Sequence, residues 1–135
     1  MALPRQKFRE IVFQLLYGQE FGEIESRESM DLVMRQLKVT RSSVKKGLEK
    51  VQEILKHIES LDKEIAYASK DYPLERISKV ERTILQMCLY EMLYEETPSK
   101  VAITEAVRLS RKFGSPEGAT FVNGILDHIY KKHGD

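Results

Sequence analysis

The stretch FGSPEGATFVNGILDHIY, residues 113–130, reads two ways, and the choice between them sets the fold class. Asn123-Gly124 lies between the apolar pairs Phe121-Val122 and Ile125-Leu126, and Asn-Gly with hydrophobic flanks is the strongest short-range signal for a β-hairpin. Upstream, Ser115-Pro116-Glu117 has the form of a helix start. It offers a capping hydroxyl, a proline at the first helical position and an acid in the first turn. If that helix continues, Phe121, Val122, Ile125, Leu126 and Ile129 share one face, with Gly124 at its edge. Two-residue flanks are too short to pair as strands, and nothing else in the chain alternates with period two. The stretch reads as helix, at a cost of about 1 kcal/mol for an interior glycine. Such a cost predicts a packing role. Gly124 should let a neighbouring helix approach closely, Asn123 should bond locally or to that neighbour, and Gly124→Leu should unfold the C-terminal lobe.

The remainder of the chain carries helical periodicity. Phe8, Ile11, Val12, Leu15 and Leu16 make an amphipathic stripe, opened by Pro4 and ended by Gly18 and Gly22 near residue 21. Ser26 is placed to cap a helix with Met30, Val33, Met34 and Leu37. Thr40 is placed to cap another, with Val44, Leu48, Val51, Leu55, Ile58, Leu61 and Ile65. That last stripe is long for one globular helix, so a break is expected near Ser60-Leu61-Asp62. Asp71-Tyr72-Pro73 closes this half, since a residue before proline avoids helical geometry. Ser78-Lys79-Val80-Glu81 has the capping-box form ahead of Ile84, Leu85, Cys88, Leu89 and Met92. Thr97-Pro98 opens a helix with Val101, Ile103, Ala106, Val107 and Leu109, ended by Gly114. The reading is an all-α chain of about seven helices, one domain over 1–135 with lobes of about 1–72 and 73–135.

Composition agrees with a helical protein: 135 residues, 41% hydrophobic, 32% charged, four prolines and seven glycines. The single cysteine excludes an intramolecular disulfide and points to a reducing compartment. The apolar residues of the N-terminus are periodic and interrupted by Arg9 and Glu10, unlike a signal peptide. No run approaches the roughly 18 apolar residues of a membrane span, so the expected location is the cytoplasm, with no membrane partner. Net charge is +1, but it is unevenly spread. Residues 20–31 are acidic, 35–50 are basic, and Arg5, Lys7 and Arg9 crowd the start of the first helix. The middle blocks fit solvated helix faces. The first sets cations at a helix beginning, where the dipole favours acids. Both an anionic partner and a frayed, solvated terminus account for it.

Catalytic chemistry finds little footing. Cys88 lies within an apolar helical face without a histidine beside it, which suits a buried structural thiol. His57, His128 and His133 lack metal-ligand spacing, and there is no zinc pattern, P-loop or dinucleotide fingerprint. Glu95-Glu96 reads as a solvated pair at a helix end. No enzyme, metal or cofactor is expected. Residues 106–126 could form a helix-turn-helix around Gly114, yet the second helix has no Lys or Arg from Pro116 to Ile129 and carries Glu117 and Asp127. A helix that reads the major groove needs polar and basic residues there.

These residues also carry a family resemblance. RQKFREIVFQLLY (5–17), ISKVERTILQMCLYEM (77–92), PSKVAITEAVRLSRKFG (98–114) and FVNGILDHI (121–129) resemble, in order and interval, the NusB family of bacterial transcription antitermination factors. The resemblance covers nearly the whole chain and is most specific in the C-terminal half. It implies two packed helical lobes. It also implies binding to boxA-type single-stranded RNA of ribosomal RNA operon transcripts, together with the ribosomal protein NusE, so that the RNA polymerase elongation complex passes termination signals. Carried over by position, it implies RNA contacts at Arg5, Gln6, Lys7, Arg9 and Tyr17, and NusE contacts at Tyr17, Glu81 and Glu117. Gln6 stands where many relatives have another arginine, and Gln86 replaces the arginine usual after Ile-Leu. Tyr17 lies off the apolar stripe and fits either base stacking or a place in a lobe interface.

Two other readings accompany this one. In the first, a helical adaptor touches RNA mainly through its protein partner. In the second, the chain is the NusB-like module of a ribosomal RNA methyltransferase, which needs a cofactor domain beyond Asp135. A monomer is expected in the active complex, and a homodimer that covers the RNA face is compatible with the sequence.

Overall fold

The computed structural model describes residues 3–19, 27–70 and 72–133. Among them the chain forms seven α-helices and no strand: α1 (Arg5–Gly18), α2 (Arg27–Leu37), α3 (Arg41–Lys56), α4 (Ile58–Ala68), α5 (Lys79–Tyr94), α6 (Ser99–Phe113) and α7 (Pro116–His133). A short 3-10 helix at Leu74–Arg76 follows Pro73. No helix among the described residues is long and apolar enough to cross a membrane.

The helix starts follow the capping chemistry of the sequence. Thr40 Oγ1 accepts from the Ser43 N–H at 3.2 Å, Ser78 Oγ from Glu81 N–H at 3.2 Å, and Ser115 Oγ from Gly118 N–H at 3.0 Å. Each bond satisfies one of the donors that a helix N-terminus leaves open. Asn123-Gly124 is helical, in the interior of α7. Pro4 stands one residue outside α1, as its N-cap, and Gly114 ends α6 at φ −126°. The C-terminus of α2 uses a different device. Lys38 adopts the left-handed conformation at φ 56°, and Val39 N–H bonds back to Met34 O at 3.1 Å. The expected Ser26 cap, the first-helix end near residue 21 and Asp71 lie outside the described residues.

The chain divides into two compact units, Met1–Lys56 and His57–Asp135. The expected lobe division near residue 72 and the expected break at residues 60–62 are both replaced by a turn at His57. The long stripe of residues 44–65 therefore serves two bodies: α3 packs on α1 and α2, whereas α4 packs on α5 and α7. Periodicity runs through the turn because both helices bury their apolar side.

In the first unit the core is Ile11, Val12, Leu15 and Leu16 of α1, Met30, Val33 and Leu37 of α2, and Val44, Leu48, Val51 and Ile54 of α3. Burial of α1 also takes in Arg9, Glu10 and Phe13, wider than the stripe predicts. In the second unit α5 is buried without interruption from Thr83 to Glu91. Leu61 and Ile65 of α4, Ala102, Ala106 and Leu109 of α6, and Val122, Leu126 and Ile129 of α7 complete that core. Each such large aliphatic side chain contributes about 1.5–3 kcal/mol by leaving water.

Gly124 corrects one expectation. It is exposed, and a Cβ built there meets nothing within 4 Å. It falls opposite the Val122, Ile125, Leu126 and Ile129 face, so no helix approaches over it, and Asn123 is exposed beside it. Close approach occurs elsewhere. A Cβ on buried Gly47 of α3 would sit 2.6 Å from Ile11 Cγ2 and 3.1 Å from Leu15 Cδ1, so its absence lets these α1 side chains pack close against α3.

Candidate functional site

The start of α1 carries cations and no acid in its first turn. Pro4 caps it in an extended conformation, supplies no side-chain bond, and the first turn carries no Asp or Glu. Arg5 and Gln6 are exposed, and Arg5 forms no ion pair among the described residues. Lys7 is half-buried, with its Nζ 3.9 Å from Glu10 Oε1. The open N–H groups of this turn and its positive dipole end therefore add to the charge of Arg5 and Lys7. Such an arrangement suits phosphate oxygens.

Arg9 is not part of that surface. The expected shared face with Arg5 gives way to burial: Arg9 is 7% exposed and is not a free cation. Its spacing put it on the same side of the helix as Arg5, but α1 is buried on more than its apolar stripe. Tyr17, farther along α1, is half-buried and stacks on Phe13, with centroids 5.6 Å apart and planes 20° apart. One side of its ring is thus held by the protein.

The acidic residues Glu81 and Glu117 lie in the second unit. Each is in the first turn of its own helix, α5 and α7, where a carboxylate meets the positive end of the dipole. Glu117 is exposed. Glu81 is half-buried, and its carboxylate lies against α7: a Cβ on buried Gly118 would be 2.5 Å from Glu81 Oε2 and 3.0 Å from its Cδ. The glycine vacates the place that the carboxylate fills. Together the Ser78 and Ser115 caps, Glu81 and Gly118 bring the first turns of α5 and α7 side by side.

Gln86 has a structural partner. It is 9% exposed and donates from Nε2 to Asp62 Oδ1 at 2.9 Å, while Arg82 Nη2 donates to Asp62 Oδ2 at 3.1 Å. One carboxylate of α4 thus holds two donors of α5, one charged and one neutral.

Other surface aromatics escaped sequence reasoning. Tyr72, 45% exposed, meets Phe121 of α7 with centroids 5.5 Å apart. Tyr67, 55% exposed, has Lys132 Nζ 4.2 Å and Lys70 Nζ 5.5 Å from its ring centroid. The turn before Pro73 was the available hint for Tyr72. Its pairing with a helix far along the chain is tertiary, and periodicity carries no trace of it. Cys88 is fully buried, and no cluster of three His, Cys, Asp or Glu among the described residues is placed to hold a metal ion.

Comparison with known proteins gives one consistent result. The NusB family model matches residues 6–131. Transcription antitermination protein NusB of Dehalococcoides mccartyi (strain CBDB1) is 32% identical over 136 residues, which span 100% of this chain and 95% of that protein. The structure of T. maritima NusB matches with a TM-score of 0.80 at 28% identity, over 100% of this chain and 96% of that one. A chain in the crystal structure of antitermination factors NusB and NusE in complex with dsRNA matches at 24% identity with a TM-score of 0.77, over 95% of this chain and 96% of that one; this is a likeness of fold.

Proposed function

The chain belongs to the NusB family, and from that premise we propose that it is a transcription antitermination factor. It binds boxA-type single-stranded RNA of ribosomal RNA operon transcripts together with ribosomal protein NusE, and so supports the RNA polymerase elongation complex. The observation that carries this reading is the family match over residues 6–131. It acts in the cytoplasm, without catalysis of its own, and as a monomer in the active complex.

Arg5, Gln6 and Lys7 contact the RNA, since the α1 start offers exposed donors and a positive helix end to phosphates. Tyr17, half-buried on α1, contacts RNA or NusE. Arg9 is left out of the contact set by its burial. Glu81 and Glu117 face NusE. The adaptor reading, in which RNA is touched mainly through NusE, gains weight from the same surface. With Arg9 buried and Gln6 uncharged, Arg5 and Lys7 are the cations left there among the described residues.

Binding of boxA RNA and a scrambled control, each with and without NusE, tests both. Preference for boxA by the chain alone, tightened by NusE, supports direct binding. Preference that arises only with NusE supports the adaptor, and no preference in either case removes the RNA assignment.

A further inference from the structure

Of the described glycines of α7, Gly124 faces open space and Gly118 does not. The three nearest atoms that a Cβ on Gly118 would meet belong to Glu81: Oε2 at 2.5 Å, Cδ at 3.0 Å and Cγ at 3.2 Å. The obstacle is thus the far end of one flexible side chain, which a methyl group can push aside without moving a helix. Glu81 is meanwhile fixed at its root, since its own N–H is bonded to Ser78 Oγ at 3.2 Å. The Gly118 N–H is bonded to Ser115 Oγ at 3.0 Å. Both backbones are anchored, and the carboxylate is what can move. It rests at the positive ends of two helices, α5 in its own first turn and α7 across the contact, which favours the seated position.

We propose that Gly118 is a positioning residue: by lacking a side chain it seats the Glu81 carboxylate on the first turn of α7, and so sets the direction in which that carboxylate meets a protein partner. The second half of the proposal rests on the reading that Glu81 faces NusE. Gly118→Ala keeps both helices and both caps but unseats the carboxylate. It is therefore a change at one residue that is felt through another.

The test uses the full chain, with Glu81→Gln, Gly118→Ala and the double variant. In the free protein, Glu81→Gln is expected to shift the Gly118 and Ala119 amide resonances, which a carboxylate turned to solvent would leave in place. For NusE measured by calorimetry, Gly118→Ala and Glu81→Gln each lower affinity by about tenfold, the scale of one charged contact. The double variant is expected to lose no more than either single one, while the melting temperature of Gly118→Ala is not lowered. Wild-type affinity in Gly118→Ala, or losses that multiply in the double variant, would overturn the proposal. If the wild-type chain does not bind NusE at all, the functional reading fails and the role toward the partner fails with it. The seating itself is then decided by the amide shifts.

Discussion

Each unit of the chain contains a buried helical glycine set against another helix, but the atoms facing the two glycines differ in kind. In the first unit Gly47 faces Ile11 Cγ2 and Leu15 Cδ1, branched aliphatic groups of the core. In the second unit Gly118 faces the carboxylate of Glu81. The helix starts differ in the same sense. α1 begins with Pro4, Arg5, Gln6 and Lys7 and has no acid in its first turn, whereas α7 begins with a serine cap and Glu117, and α5 with a serine cap and Glu81. The first unit thus places rigidity inside and unbalanced positive charge at its surface. In the second, α5 and α7 balance their starts with acids, and one of those acids lies in a seat it can be moved from. A glycine against a core enforces packing, and a glycine against a charge sets an orientation.

The largest expected effect tests the rigid side of this contrast. Gly47→Leu forces a side chain into atoms that cannot yield and should cost about 3 kcal/mol of stability, seen as an earlier denaturant midpoint. A wild-type midpoint would mean that α1 and α3 separate easily. The next probes the surface of the same unit. If Arg5 and Lys7 each neutralise one phosphate, log affinity for boxA RNA against log salt has a slope of about −1.4, at about −0.7 per contact. Arg5→Ala with Lys7→Ala should flatten it toward zero, and a slope of about −2 in the wild type would return Arg9 to the contact set. Third, Gly124→Ala meets open space and removes only the helix cost of glycine, so it should raise stability by about 1 kcal/mol. A loss there would revive the packing role that the sequence suggested. The smallest effect crosses the two designs. Gln6→Glu gives α1 the acid that α5 and α7 already have. It should stabilise the helix by about 0.3–1 kcal/mol while weakening RNA binding. Stability and binding that move together would break the contrast.

What could be read from the sequence was local. Ser115, Ser78 and Thr40 announced their caps because the bond partner of each lies three residues along the chain. The helical reading of Asn123-Gly124 followed from that cap and from the apolar face around it. The role of its glycine did not, because a glycine's cost is not always offset by packing. Gly47, one residue from Leu48 and between Val44 and Val51 on the buried face, was the better candidate on the same periodicity. Glu81 and Glu117 were found through resemblance, while the seat at Gly118 needs two helix ends brought together in space. Arg9 shows the same limit: spacing fixes which side of α1 it is on, and only tertiary packing decides whether that side is covered.

The carboxylate of Asp62 has an evolutionary consequence. Each of its two oxygens already accepts a hydrogen bond, one from the Arg82 guanidinium and one from the Gln86 amide. Gln86→Arg alone would set a second guanidinium on the same acid and leave a surplus cation at a nearly buried position. A neutral residue at 82 would free an oxygen and make that arginine acceptable. The effect of an arginine at position 86 is therefore expected to depend on the residue at position 82.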